Sequence, residues 1–487
     1  MVKALLGFAL VAILTAITRT AAAHVGSPDV FYEGDAGPYH LFVTVRVPQV
    51  IPGIAEVEIR TRSGNVQEIT SAVARLTGAG SKYLPVPDLA KQSVTDPRSF
   101  TASLWLMEYG SLRVLLNVRG SLGSAQLSVP VPSFGQTVLP MPRTLGVLLL
   151  VLMLGLAVGA IVIVGAAARE ARITPGVALS SEYRRRGFRA MGIMSVIIVL
   201  IGWGGFSWWN VDAEAYAKLA HFFKLPKCAA SIIGNELVIR PADRLWLENE
   251  RVEDLVPDHG HIMHLFLVRT PGLDRLWHLH PLRTDHGTFE VRLPTIEGGH
   301  YAVFADIVDK YGFPWTLVGA IDLPAVSGQA LGGDDSEGTA VSIKQAADTN
   351  TSVLADGTRV IWKRDATPLK AKVPIILKFE VLDKSGSPAA DLEPYMGMSA
   401  HAEVLHDDLS VFAHVHPSGS ASMAAMMMAS SDLPTEASMV DMKMPTEKLP
   451  PELSIPYGFP KPGLYRIFLQ FRRAGRIETA YFDTHID

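Results

Sequence analysis

Two segments of the chain, Trp277-His278-Leu279-His280-Pro281 and Ala413-His414-Val415-His416-Pro417, share the pattern His-x-His-Pro. Another His precedes each, His264 fourteen residues before His278 and His401 thirteen before His414. In a strand, side chains at i and i+2 point to one face, so both imidazoles of such a pair can meet one metal ion. Imidazole nitrogen is the usual protein ligand for copper, zinc or nickel. The spacing therefore predicts two sites, His264/His278/His280 and His401/His414/His416. Met396 and Met398 precede His401 and could give the second site a soft thioether, which favours copper, as Cu(I) or Cu(II), over zinc. The plainer reading is that these His residues only shape the corners before Pro281 and Pro417.

The remaining candidates are less ordered. His259, His261, His286 and His300 have no evident counterpart in the second copy, and His406 has no mate in the first; all five read as solvated loop positions. Nine of the sixteen Met residues fall between 396 and 444, among them Met423, Met426, Met427 and Met428. Crowded thioethers in a polar loop suit Cu(I) in an oxidising compartment, although a loop packed on the protein would look the same. His24, if freed as a mature N-terminus by cleavage after Ala23, would offer an amine and an imidazole to Cu(II). His40, with Asp29 or Asp35, could complete that site.

Residues 1–23 resemble a secretory signal, with Lys3, an apolar stretch and Ala21-Ala22-Ala23. Residues 144–168 and 190–209 are two uncharged spans, the second ending in Trp203, Trp208 and Trp209. Residues 169–189 between them hold six arginines and are expected on the cytoplasmic side. Both large polar regions then fall outside the cytoplasm, in the periplasm of a cell whose inner membrane carries the spans. The spans contain no Asp, Glu, Lys, Arg or His, so a lone transporter is disfavoured. A net charge of −4 gives no footprint for nucleic acid, and a single Cys228 excludes an internal disulfide and thiolate clusters. No nucleophile elbow, P-loop or His-Glu-x-x-His occurs, so no enzyme is expected.

The elements that must position the His residues read as strands. Residues 24–140 alternate apolar and polar in short runs such as Ala55-Glu56-Val57-Glu58-Ile59, which predicts a β-sandwich of Ig size. A short amphipathic helix is expected over 210–228. Residues 226–324 hold the first His repeat, 327–338 form a Gly/Ser/Asp-rich linker, and 340–487 hold the second repeat with the Met cluster. The expected class is all-β, Ig-like sandwich modules tethered by two transmembrane α-helices.

The stretch from Met398 through His401, His414, His416 and Pro417 to Phe459-Pro460-Lys461-Pro462-Gly463-Leu464-Tyr465-Arg466 resembles the YtkA-like, Ig-fold modules of bacterial envelopes. Residues 255–324 resemble them more loosely, and His24 with His40 is similar to the N-terminal region of CopC-like copper-resistance proteins. The resemblance implies extracytoplasmic copper binding, storage, delivery or tolerance, beside the lipid bilayer and with a copper transporter or other envelope protein as partner. Two other readings stand beside it: a β-sandwich interaction or ligand-binding protein with structural corners, and an accessory subunit of an envelope membrane complex.

Overall fold

The computed structural model describes residues 29–487 except 64, 138–140, 172, 175, 177, 220–221, 223, 286, 346–347 and 431–448. The described chain is mostly strand, in six antiparallel sheets, with two long apolar helices. It divides into two units, one of residues up to 137 plus 221–487, the other of 138–220.

In the first unit, the N-terminal module pairs a sheet built on Val30–Ala36, Tyr39–Arg46, Gly53–Thr61 and Ser99–Leu106 with one built on Val66–Arg75, Gly110–Gly120 and Gly123–Ser133. Its strands alternate as expected: Ala55, Val57 and Ile59 are buried while Glu56 and Arg60 are exposed. The second and third modules repeat one topology. In the second, a central sheet runs Leu255–Val256, Gly299–Asp309, His264–Thr270, Arg275–Leu279, with Pro314–Leu323 also on Gly299–Asp309. In the third, the corresponding order is Leu392–Glu393, Gly463–Arg473, His401–His406, Phe412–Val415, with Arg476–Ile486 on Gly463–Arg473. A four-stranded sheet accompanies each.

The His strands are buried on both faces, and the two-residue period sorts their side chains. Leu265, Leu267, Trp277 and Leu279 enter the core of the second module; Ala402, Val404, Ala413 and Val415 enter that of the third. The opposite faces pack on each other. Phe266, Val268, Leu273, Leu276 and Phe304 of the second module join Leu405, Phe412 and Phe468 of the third in one apolar cluster. His264, His278, His401 and His414 share those faces and are thereby driven to the seam between modules.

Two expectations need correction here. Residues 327–338 do more than link: Ser336–Thr339 is a strand paired with Arg275–Leu279, so the segment is held by ladder hydrogen bonds at the seam. The short helix expected over 210–228 is absent as a separate element among the described residues. The second long helix runs unbroken from Ser181 to Lys218, because 206–218 contains neither Pro nor Gly to stop it. That helix also begins early enough to take in Arg184, Arg185, Arg186 and Arg189.

The second unit is this helix and Arg143–Glu170, which enclose the two uncharged spans. They pack on one another where Gly165 meets Met191, a contact that a side chain at 165 would block.

Candidate metal centre

The structure gathers the two predicted His sets into one buried cluster. Within the second module, Nδ1 of His264 lies 3.0 Å from Nε2 of His278. Within the third, Nδ1 of His401 lies 3.1 Å from Nε2 of His414. His278 and His280 share a face, with ring centroids 4.7 Å apart, and so do His414 and His416, at 4.6 Å. The sets touch: the rings of His264 and His414 are 5.4 Å apart and those of His278 and His414 5.5 Å. Phe266 stacks on His278 at 4.3 Å and closes the apolar side.

Carbonyl and carboxylate partners set the tautomers of His264, His401 and His280, whereas that of His278 follows the orientation of the Gln470 amide. Nε2–H of His264 donates to the Asp258 carbonyl at 3.0 Å, and Nε2–H of His401 to the Tyr395 carbonyl at 3.2 Å. Nδ1 of His278 lies 2.9 Å from Oε1 of Gln470, and Nδ1–H of His280 donates to Oδ1 of Asp335, also at 2.9 Å. A neutral imidazole that donates through one nitrogen carries a lone pair on the other. The inner nitrogen of His264 therefore turns a lone pair toward Nε2 of His278 at 3.0 Å, and Nε2 of His280 has no hydrogen-bond partner. Two imidazoles on one tetrahedral ion, each about 2.0–2.1 Å from it, stand about 3.3 Å apart. The 3.0 and 3.1 Å spacings are close to that of two ligands on one ion.

Electrostatics keep these rings neutral. Burial lowers the pKa of His264 to about 4. Burial, reinforced by neighbouring imidazoles, holds His278, His280, His401, His414 and His416 well below the ordinary His value. Metal coordination requires that deprotonated form. Three carboxyls sit close by: Asp335, raised by burial to about 6, Asp306, raised by burial to about 7, and Glu403, raised by burial well above the usual range.

His259 and His261 are corrections to the sequence reading. His259 is buried, not solvated: its Nδ1–H donates to the Met396 carbonyl at 2.8 Å and its Nε2 lies 3.2 Å from Nε2 of His416. His261 stacks on His280 at 3.8 Å and pairs with Asp334 at 3.2 Å. Both have counterparts in the third module. Asp258 and His261 bridge a turn with φ of 50° at His259 and 86° at Gly260; Tyr395 and Met398 bridge one with φ of 49° at Met396 and 81° at Gly397. Each turn starts six residues before its strand His, so Met396 and Met398 stand where His259 and His261 stand. The shared Gly was the signal in the sequence. The three-His grouping also shifts: nitrogens of His259, His401 and His416 lie within 4.8 Å of one another, as do those of His264, His278 and His280. His414 stands between these sets, with Asp306 3.6 Å from its Nδ1.

The other candidates lie apart. Met396 reaches the centre through its carbonyl, and Sδ of Met398 meets Ser418 Oγ at 3.9 Å. The described part of the Met cluster is not a polar loop but a helix, Met423–Ser430, in which Ala425, Met428 and Ala429 pack against Leu76. The Asp258 carboxylate accepts from the Ala424 amide at 2.7 Å, which seats this helix on the His259 turn. Met439, Met442, Met444, His286 and His24 lie outside the described residues. His40 is held in its hairpin by Asp35 at 2.6 Å and Glu33 at 3.3 Å, while Asp29 lies instead beside Arg46. His406 is buried, another correction; Nδ1 meets Asp407 and Asp408 at 2.8 and 2.7 Å in the turn after its strand, and Lys461 also binds Asp408. His300 is exposed and pairs with Asp322.

A cavity of about 170 Å³ opens onto the cluster, with Asp258, His264, Asp306, His414 and His416 at its polar end and aromatic residues including Phe313 and Trp315 along its wall.

Residues 351–487 match a family model described as a domain of unknown function, DUF8832. No curated protein matches the chain. Among solved structures, it is similar to an engineered protein from a structural genomics consortium, at 15% identity over 20% of this chain and 21% of that one, with a TM-score of 0.16. It is also similar to dimeric latent PorU from Porphyromonas gingivalis, at 10% identity over 94% of this chain and 34% of that one, with a TM-score of 0.14. A third likeness is to the D1–D4 ectodomain fragment of ICAM-5, at 9% identity over 93% of this chain and 77% of that one, with a TM-score of 0.15. The chain thus spans about a fifth and a third of the first two, and at such TM-scores these likenesses decide neither fold nor function. What the family comparison identifies is the third module, 351–487, as similar to DUF8832.

Proposed function

We propose that the chain is a membrane-anchored, extracytoplasmic metal-binding protein that holds copper in the seam between its second and third modules, for copper tolerance, storage or delivery. The observation that carries this reading is the buried set of His264, His278 and His280, whose nitrogens lie within 4.8 Å of one another and of which Nε2 of His280 has no hydrogen-bond partner. Buried polar atoms without a partner are costly, and a cation among the inner nitrogens removes that cost. Copper is favoured because imidazole sites bind Cu(II) most tightly among the divalent first-row metals. The Ig-like character of the sandwiches belongs to the same reading, as does anchoring through Arg143–Glu170 and Ser181–Lys218. The arginines at 184–186 and 189 support a cytoplasmic connection between those helices, and so a periplasmic seam.

Equilibrium dialysis of the full chain in detergent against copper and zinc, followed by metal analysis, tests the proposal. Copper should be retained in preference to zinc, and lost when His278 and His414 are both replaced by Ala. Equal retention by that variant, or no copper in the wild type, would sink it.

A further inference from the structure

The metal-binding reading leaves open how many ions the seam takes. Eight imidazoles converge there: His259, His261, His264, His278, His280, His401, His414 and His416. One copper ion uses three or four such ligands, so a single ion would leave at least four of the eight uncoordinated. The nitrogens instead form two sets of three, each within 4.8 Å, one in the second module and one crossing both modules through His259. The sets adjoin rather than stand apart, since the rings of His259 and His264 are 5.9 Å apart and those of His259 and His401 4.9 Å.

A second observation concerns charge. Glu403 lies on the His401 strand, two residues on and on the same face, and is fully buried. Neither carboxyl oxygen has a hydrogen-bond partner, and Nδ1 of His278 is 3.9 Å from Oε1. Phe266, two residues after His264, occupies the matching place in the second module, so packing alone is met there by an apolar ring. An acidic side chain with two unpartnered oxygens is thus set beside His278 within the cluster. Asp306 lies opposite, beside His414.

Resting on the metal-binding proposal, we infer that the cluster is one dinuclear centre. His264, His278 and His280 hold one copper ion, His259, His401 and His416 hold the other, His414 stands between them, and Glu403 lies beside them as a buried acidic side chain. The two modules each supply ligands, so loading also clamps the seam.

The test is copper counting and electron paramagnetic resonance on the full chain loaded with Cu(II) in detergent. Wild type should hold two ions per chain and give a spectrum broadened by dipolar coupling, with a half-field transition. His259→Ala should hold one ion and give a single, uncoupled signal. One ion per wild-type chain, or two with sharp uncoupled signals, would overturn the dinuclear centre while leaving metal binding intact. No copper at all would overturn both. The wild-type spectrum decides the matter even where a variant fails to fold.

Discussion

Oε1 of Gln470 in the third module lies 2.9 Å from Nδ1 of His278 in the second. The relationship is reciprocal in design: Asp306 of the second module stands 3.6 Å from Nδ1 of His414 of the third. Both outer residues hold matching places, Asp306 opposite His264 and Gln470 opposite His401 in the strand register. Each module thus orients the ligand of the other.

Gln470→Leu should weaken metal binding without displacing a ligand. Removing an outer partner costs about 10–100-fold in affinity, because the ring loses its tautomer and orientation. Chelator competition would measure it; an unchanged affinity would show that Gln470 orients nothing. Gln470→Glu should recover most of the loss, since it restores an acceptor.

Acid should act on the metal-free chain through His264. Its pKa falls from 6.5 in the unfolded chain to about 4 in the fold, owing to burial. The folded state binds fewer protons between those values, so the stability associated with a neutral His264 is complete above pH 6.5 and lost as pH falls toward 4. Raised carboxyls such as Asp335 act with the opposite sign, so the contribution is best read as a difference. Urea midpoints of wild type and His264→Gln should converge as pH drops from 7.5 to 4.5. A constant gap would count against this account.

Arg466 fastens the same seam. Fully buried, it makes two 2.7 Å bonds to Asp483 and donates to the carbonyls of Leu273 and Val341, also at 2.7 Å. Arg466→Met should cost about 3–5 kcal/mol in urea unfolding, since it strands the Asp483 charge. Replacing Asp483 by Leu as well should restore much of that loss. If the single variant unfolds like wild type, the bridge is not structural.

Gly419 closes the turn after His416 with φ of 121°, and a side chain there would overlap the Phe31 carbonyl of the N-terminal module. The strained backbone alone costs on the order of 1–3 kcal/mol. Gly419→Ala should therefore lower the melting temperature and loosen copper together, because the turn that binds Phe31 also sets His416. A variant that melts lower but keeps its copper affinity would separate the two roles.

Cys228 is buried and its thiol is pushed up by burial to about 12. Almost no thiolate forms at neutral pH, so the native chain should resist thiol reagents and react only in denaturant. Rapid labelling of the native chain would contradict this.

The strand character, the two apolar helices and the paired His residues were all legible in the sequence, because each follows from a short-range period. The i, i+2 spacing placed His278 with His280 and His414 with His416 on one face before any partner was known. For residues 259 and 261 the shared Gly was the one sequence signal, and it takes the turn geometry to equate Asp258-His259-Gly260-His261 with Tyr395-Met396-Gly397-Met398. Nor could spacing show that residues 334–335 of the linker return to the His pairs, or that Met423–Ser430 is a helix seated on Asp258. By itself the sequence determined which atoms could bind a metal and on which side of their strands they lie. Only tertiary packing decided that the two faces meet, because burying Phe266, Phe304, Phe412 and Phe468 against each other also brings His264, His278, His401 and His414 into a single water-poor seam.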